Sequence, residues 1–208
     1  MASDTFVFLD DVQYEKDGWH NRNKIRTSNG SMWLTIPIKS KLNVQINEAQ
    51  IDNTHAWLEK HKKSIQINYS KSSHFDNLWK DLEQIYEKKY DLLIDINMKI
   101  ISLVLKKFEI STKVIFSSEL QIKTKGSKRI LDICKSLNAD VYLSGAFGVN
   151  YLDSQSFIDN HIEVKYQNFQ HPFYNQVYAP FVPNMAAIDL IFNEGINSGF
   201  ILRDAKNF

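Results

Sequence analysis

Between Lys113 and Tyr166 the chain alternates short apolar runs with stretches of helical length, and this rhythm limits the possible folds more than any other feature. Lys113-Val114-Ile115-Phe116 reads as a strand and Lys128 to Leu137 as a helix. Asp140-Val141-Tyr142-Leu143 follows as a strand leaving through Ser144-Gly145, then a short helix over residues 153–160, then Ile162-Glu163-Val164-Lys165-Tyr166 as a third strand. Strands separated by helices at this spacing pair in parallel through right-handed crossovers. Thr5-Phe6-Val7-Phe8-Leu9, rich in aromatic and β-branched residues, reads as a further, buried strand. The expected fold is α/β: a Rossmann-like, mostly parallel sheet forming a single domain over residues 1–208.

Two features interrupt this pattern. Asn29-Gly30 is a hairpin signal, entered through Ile25 and Arg26 and left through Met32-Trp33-Leu34-Thr35-Ile36-Pro37-Ile38. Pro37 places that second strand at an edge or ends it, and Lys16-Asp17-Gly18 reads as a turn ahead of the hairpin. Residues 54–109 then read as a helical insertion. Its first helix, capped by Thr54, carries Trp57, Leu58, His61 and Ile65; its second carries Phe75, Leu78, Trp79, Leu82, Ile85 and Tyr86. The third, Leu92 to Phe108, is apolar nearly all round, the mark of a central helix, and Ala187 to Phe192 begins a last one.

Charge excludes some classes of function. Twenty-five basic residues against twenty-four acidic ones leave a net charge of +1, giving no electrostatic reason to expect nucleic acid or an anionic membrane as partner. The longest apolar run, Ile100 to Leu105, is too short for a membrane span, and no signal-peptide pattern precedes the first strand, so a cytoplasmic location is expected. Cys134 is the one cysteine, which rules out an internal disulfide and a multi-cysteine zinc site. The sequence has no G-x-G-x-x-G, G-K-[ST], G-x-S-x-G or H-E-x-x-H pattern, so a phosphate loop, a hydrolase elbow and a dedicated metal site all lack support.

Ligands of open parallel sheets bind beyond the carboxyl ends of the strands, and this rule selects the candidate residues. Asp10 and Asp11 follow the first strand and could orient a substrate or a magnesium ion; capping a turn is the plain alternative. Gln13 and Tyr14 come next. Trp19-His20-Asn21-Arg22-Asn23-Lys24-Ile25 is aromatic and amide-rich at once. Arg22 could grip a phosphate or carboxylate there and Asn21 and Asn23 supply donors and acceptors, although an arm with a structural ion pair would look the same. Ser144 and Gly145, with Tyr151 and Asp153, lie past a later strand. In His171-Pro172-Phe173-Tyr174, His171 could act as a general base, while His55, His61, His74 and His161 are expected to face solvent.

The blocks Phe6 to Tyr14, Trp19 to Ile25 and Trp33 to Pro37 resemble, in order, the opening of the WbqC-like family. Tyr142-Leu143-Ser144-Gly145, Tyr151-Leu152-Asp153, His171-Pro172-Phe173-Tyr174 and Ile188 to Asn193 resemble its later blocks. The resemblance spans nearly the whole chain. It departs at the start, where family members usually carry a strand and helix with a Gln-Pro…Pro-Trp-x-Gly pattern; losing a first strand would expose a sheet edge.

The resemblance implies a role in O-antigen, lipopolysaccharide or related surface polysaccharide biosynthesis, acting on a nucleotide-sugar. The expected activity is transfer of an acyl or aminoacyl group to an amino sugar, as a transferase or as an ATP-dependent amide ligase using ATP and Mg²⁺. His171 would serve as base, with Asp10 and Asp11 beside it. The alternative is a non-catalytic sugar-nucleotide or glycan-binding protein that stacks its ligand on Trp19, Tyr151 and Tyr174, and a scaffold for glycosyltransferases is a third possibility.

Overall fold

A computed structural model describes residues 2–16, 18–39 and 43–205, so Asp17 of the expected turn lies outside the described residues. The chain divides into two compact units, the first formed by Met1–Asp10, Thr112–Gln170 and Asp204–Phe208, the second by Asp11–Ser111 and His171–Arg203.

The first unit holds the strand–helix alternation read from the sequence. Strand β1 (Thr5–Phe8) pairs in parallel with a strand at Lys113–Phe116, and Val141–Ser144 pairs in parallel with Glu163–Tyr166. These last three are β4, β5 and β6; β2 and β3 belong to the second unit. Helix α4 (Gly126–Ser136) connects β4 to β5, and α5 (Ser154–Asp159) connects β5 to β6. The core of the unit is Leu131 and Cys134 of α4, Phe157 of α5 and Ile162, with Tyr142, Leu152 and Val164 packed around them. Burial of Cys134 pushes its thiol up to about 11, so it behaves as a small hydrophobe.

Here the structure corrects one expectation. The first strand was read as buried, yet Phe6 is 50% and Leu9 38% exposed. The cause is pairing: β1 has β4 as its one strand neighbour among the described residues, and its other edge is open.

The second unit carries the hairpin and most of the helices. Strands β2 (Arg22–Thr27) and β3 (Gly30–Thr35) pair antiparallel, with Thr27 opposite Gly30, so Ser28 and Asn29 form the two-residue turn. Gly30 sits at φ +126°, a conformation a side chain strains. β3 ends before Pro37, as the missing proline donor requires. Helices α1 (Trp57–Tyr69), α2 (Phe75–Tyr86) and α3 (Leu93–Lys107) follow, with α6 (Ala187–Glu194) and α7 (Ser198–Asp204) near the end of the chain. Each presents an apolar stripe: Trp57, His61, Ile65 and Tyr69 on α1, and Leu78, Trp79, Leu82 and Tyr86 on α2. The Phe192 ring of α6 stacks on Tyr69 at 4.7 Å and on Phe75 at 5.5 Å between centroids.

Three local expectations fail in this unit. Thr54 does not cap α1, because its N–H and hydroxyl both donate to Asp52, 3.1 and 2.6 Å away, closing a separate turn before the helix. Helix α3, although apolar nearly all round, fully buries Leu93 and Ile96 and leaves the rest of its surface partly or fully exposed. His61 does not face solvent: it is buried between Trp57 and Tyr86. Its Nε2 donates to the Thr35 carbonyl at 3.1 Å, and burial pushes its pKa down to about 4.

Candidate functional site

The hairpin arm gathers aromatic and cationic side chains on one face. Residues two apart on a strand point the same way, and Trp33 stands opposite Lys24 in the register, so Arg22, Lys24 and Trp33 share a side. The Arg22 guanidinium lies 4.5 Å and the Lys24 ammonium 5.0 Å from the Trp33 ring centre. Trp19, from the loop before β2, packs on Trp33 with ring centres 5.0 Å apart, yet it stays 63% exposed. Arg22 Nε also donates to the Gly18 carbonyl at 3.2 Å, which fixes the guanidinium beside the rings. Two adjacent indoles, one open to solvent, next to two cations can hold a flat or sugar-like group with an anion attached.

The amides flanking this face differ. Asn23 is exposed and its Oδ1 accepts from the Lys24 N–H. Asn21 is buried; its Nδ2 donates to the Ile36 carbonyl at 2.8 Å and its Oδ1 is buried without a hydrogen-bond partner. Gln13 is exposed, and Tyr14 packs against His20 with ring centres 5.8 Å apart.

The other candidates of this unit lie in a buried polar network. The Asp189 carboxylate of α6 accepts from the Tyr69 hydroxyl at 2.6 Å, the Tyr174 hydroxyl at 2.7 Å and Gln176 Nε2 at 2.9 Å. Gln176 Oε1 in turn accepts from Arg26 Nε, and the fully buried Arg26 also donates to the carbonyls of Thr27, Gly30, Tyr178 and Pro180. A buried cation and a buried anion thus compensate each other through a bridging amide, with their remaining sites filled. Burial, reinforced by the Asp189 charge, pushes the Tyr69 and Tyr174 hydroxyls far above the usual phenol range. Tyr174, expected as a stacking platform, is instead 6% exposed and turned inward, because its hydroxyl is needed to satisfy Asp189.

His171 is half-buried among Tyr174 and Phe181. A carbonyl can only accept and an amide N–H can only donate, so its partners settle its tautomer. Nδ1 carries the proton and donates to the Pro172 carbonyl at 2.8 Å, while Nε2 accepts from the Asn184 N–H at 3.1 Å.

In the first unit, Asp10 is 5% exposed at the end of β1 and accepts from the Ser118 hydroxyl at 2.7 Å, the Ser118 N–H at 3.0 Å and the Ser117 hydroxyl at 3.3 Å. These bonds tie the ends of β1 and β4 together, a structural task. Asp11, the first residue of the second unit, is half-buried. Ser144 is buried and donates to the Gly145 carbonyl, and Gly148 must be glycine because a Cβ there would lie 1.9 Å from Ser144 Oγ. Tyr151 is 57% exposed in the following loop. Asp153 caps α5, and the bonds from Ser156 hold its carboxyl below the usual carboxylate range. Among the described residues no cluster of three or more His, Cys, Asp or Glu is arranged to hold a metal ion, and no helix is long and apolar enough to cross a membrane.

Sequence reasoning missed Trp33 and Lys24 as members of the platform, although the hairpin signal and the period of two would have put them opposite each other. It also missed Arg26, Tyr69 and Asp189, whose partners lie more than a hundred residues apart in sequence and leave no local pattern.

Comparison with known proteins adds a relationship to this geometry. The sequence model of the WbqC-like protein family matches residues 1–200. The chain is similar to the uncharacterized protein Rv1507c of Mycobacterium tuberculosis, 31% identical over 204 residues that cover 96% of this chain and 88% of the relative. No solved structure matches. With nearly its full length matched, the chain belongs to the WbqC-like protein family.

Proposed function

We propose that the protein binds a nucleotide-linked sugar at the exposed face of its hairpin arm, in the synthesis of O-antigen or a related bacterial surface polysaccharide. One observation carries this reading: Trp19 and Trp33 lie 5.0 Å apart with Arg22 and Lys24 held beside them. An indole face stacks on a base or on the C–H face of a sugar, and the two cations meet the charge of a pyrophosphate. The biosynthetic setting is what the resemblance to the WbqC-like family implies. UDP-N-acetylglucosamine, titrated while tryptophan fluorescence is followed, tests the platform. Saturable quenching, weakened at least tenfold by Trp19→Ala and by Arg22→Gln, is the expected result. Unchanged affinity in both variants would remove the platform as the site.

A second reading, transfer of an acyl or aminoacyl group to an amino sugar, has its own support in His171. A neutral imidazole with Nδ1–H anchored on a carbonyl presents Nε2 as a base. Nε2 now accepts from the Asn184 N–H, so catalysis would need that contact to open. ATP and Mg²⁺ would serve the ligase form of this reaction. Turnover of a nucleotide-linked amino sugar that survives His171→Ala undiminished would exclude His171 as the base.

A further inference from the structure

The first unit contains a cleft of about 740 Å³ whose walls are strand edges. A pocket on a sheet face is lined by alternate residues of each strand, since neighbours point to opposite faces. This one is lined by unbroken runs instead, Ala2 to Val7 on the β1 side and Leu137 to Leu143 on the β5 side. Both strands therefore meet it edge-on. Its floor is the α4 stripe Ile130, Ile133, Cys134 and Leu137, spaced as one helical face.

Backbone directions agree. The Asp4 carbonyl accepts from Lys113 of β4, so even-numbered residues of β1 bond β4 and the N–H and C=O groups of Thr5 and Val7 point the other way. The Asp140 and Ser144 carbonyls accept from Glu163 and Gln167 on the β6 side, so those of Val141 and Leu143 point the other way too. Among the described residues neither strand has a partner on that edge. Phe6, Leu9 and Val141 are 50, 38 and 44% exposed along the two edges. Open edges of this kind are normally covered, charged or broken by proline, and no lysine, arginine or proline lines this cleft.

We propose that the cleft is the seat of one further β-strand, an apolar segment of the protein's own polypeptide joined ahead of Met1, which runs parallel to β1 and β5 and bridges them into one sheet. Ala2, Ser3 and Asp4 line the cleft, so a segment attached there is already at its mouth. The length required is at hand in a relative: 204 aligned residues are 88% of Rv1507c, leaving about 28 outside, enough for a strand and a crossover of roughly 10–12 residues or more. Neither the hairpin platform nor His171 enters this inference.

The test fuses the residues of Rv1507c that lie outside the aligned stretch ahead of Met1, with a scrambled version of the same segment as control. The same segment is also added to the unextended chain as a free peptide, in case the fusion misfolds. Amide hydrogen exchange is read at Thr5, Val7, Val141 and Leu143. The expected result is exchange slowed at least a hundredfold at these four positions and a Tm raised by about 5 °C or more, with both gains lost on Val141→Pro. Unchanged exchange with both fusion and peptide, or equal protection by the scrambled segment, overturns the proposal. Protection of the unextended chain that grows with protein concentration overturns it as well, by showing that a second copy fills the cleft.

Discussion

At the residue scale, the clearest structural commitments are buried polar groups whose partners are complete. The Tyr69 hydroxyl donates to Asp189 and accepts from the Arg26 N–H at 2.9 Å, so Tyr69→Phe removes two bonds and leaves a buried carboxylate one donor short. Loss of a bond to a buried charged group costs about 1.5–3 kcal/mol. Urea unfolding of Tyr69→Phe should show a lower midpoint at unchanged m-value by about that amount. His61 makes a pH prediction. Its folded pKa of about 4 lies below its ordinary 6.5, so between these values the unfolded chain binds a proton that the folded chain refuses. Stability is therefore full above pH 6.5, falls as pH drops through that window by about 1.4 kcal/mol per unit, and levels below pH 4. His61→Gln keeps a donor for the Thr35 carbonyl and cannot titrate. The stability difference between the two proteins, measured from pH 7 to 4, should shrink steadily in the variant's favour; a constant difference would mean that His61 protonates freely when folded.

At the scale of elements, the hairpin depends on one glycine. Gly30 opens β3 at φ +126° with nothing within 4 Å of where a Cβ would sit, so the penalty of Gly30→Ala is conformational alone. It should cost on the order of 1 kcal/mol or more, visible as a lower Tm with unchanged circular dichroism. The hairpin was legible because a two-residue turn and its flanking strands are neighbours in sequence, and the β4–α4–β5–α5–β6 succession was legible because its apolar periods switch at each boundary. The first cap of α1 was not: Thr54 and Asp52 satisfy each other, and that competition between two polar residues two apart has no signature in periodicity. Nor was the exposure of β1, since the run Phe6-Val7-Phe8 reports that a strand is made for burial and says nothing about what covers it. The candidate site was half legible. Trp19, Asn21, Arg22 and Asn23 were found by residue type, whereas the inward turn of Tyr174 follows from Asp189 fifteen residues later, a partner that only the fold brings near.

For the molecule as a whole, charge balance sharpens the test of binding. A net charge of +1 gives no field to draw an anion in from a distance, so any electrostatic gain for a nucleotide-sugar must come from cations at the site itself. On the hairpin these are Arg22 and Lys24, both close against Trp33. Raising the salt from 0.05 to 0.5 M shortens the screening length from more than 10 Å to a few ångströms, which weakens an interaction with exposed cations at contact range only in part. Affinity for UDP-N-acetylglucosamine should therefore fall severalfold across that range, far less than for a protein carrying a large basic field. In the double variant Arg22→Gln, Lys24→Gln the residual binding should be nearly independent of salt, because stacking on the indoles is all that remains. A salt dependence of the double variant as steep as that of the parent would put the anion against other cations and detach the pyrophosphate from the hairpin.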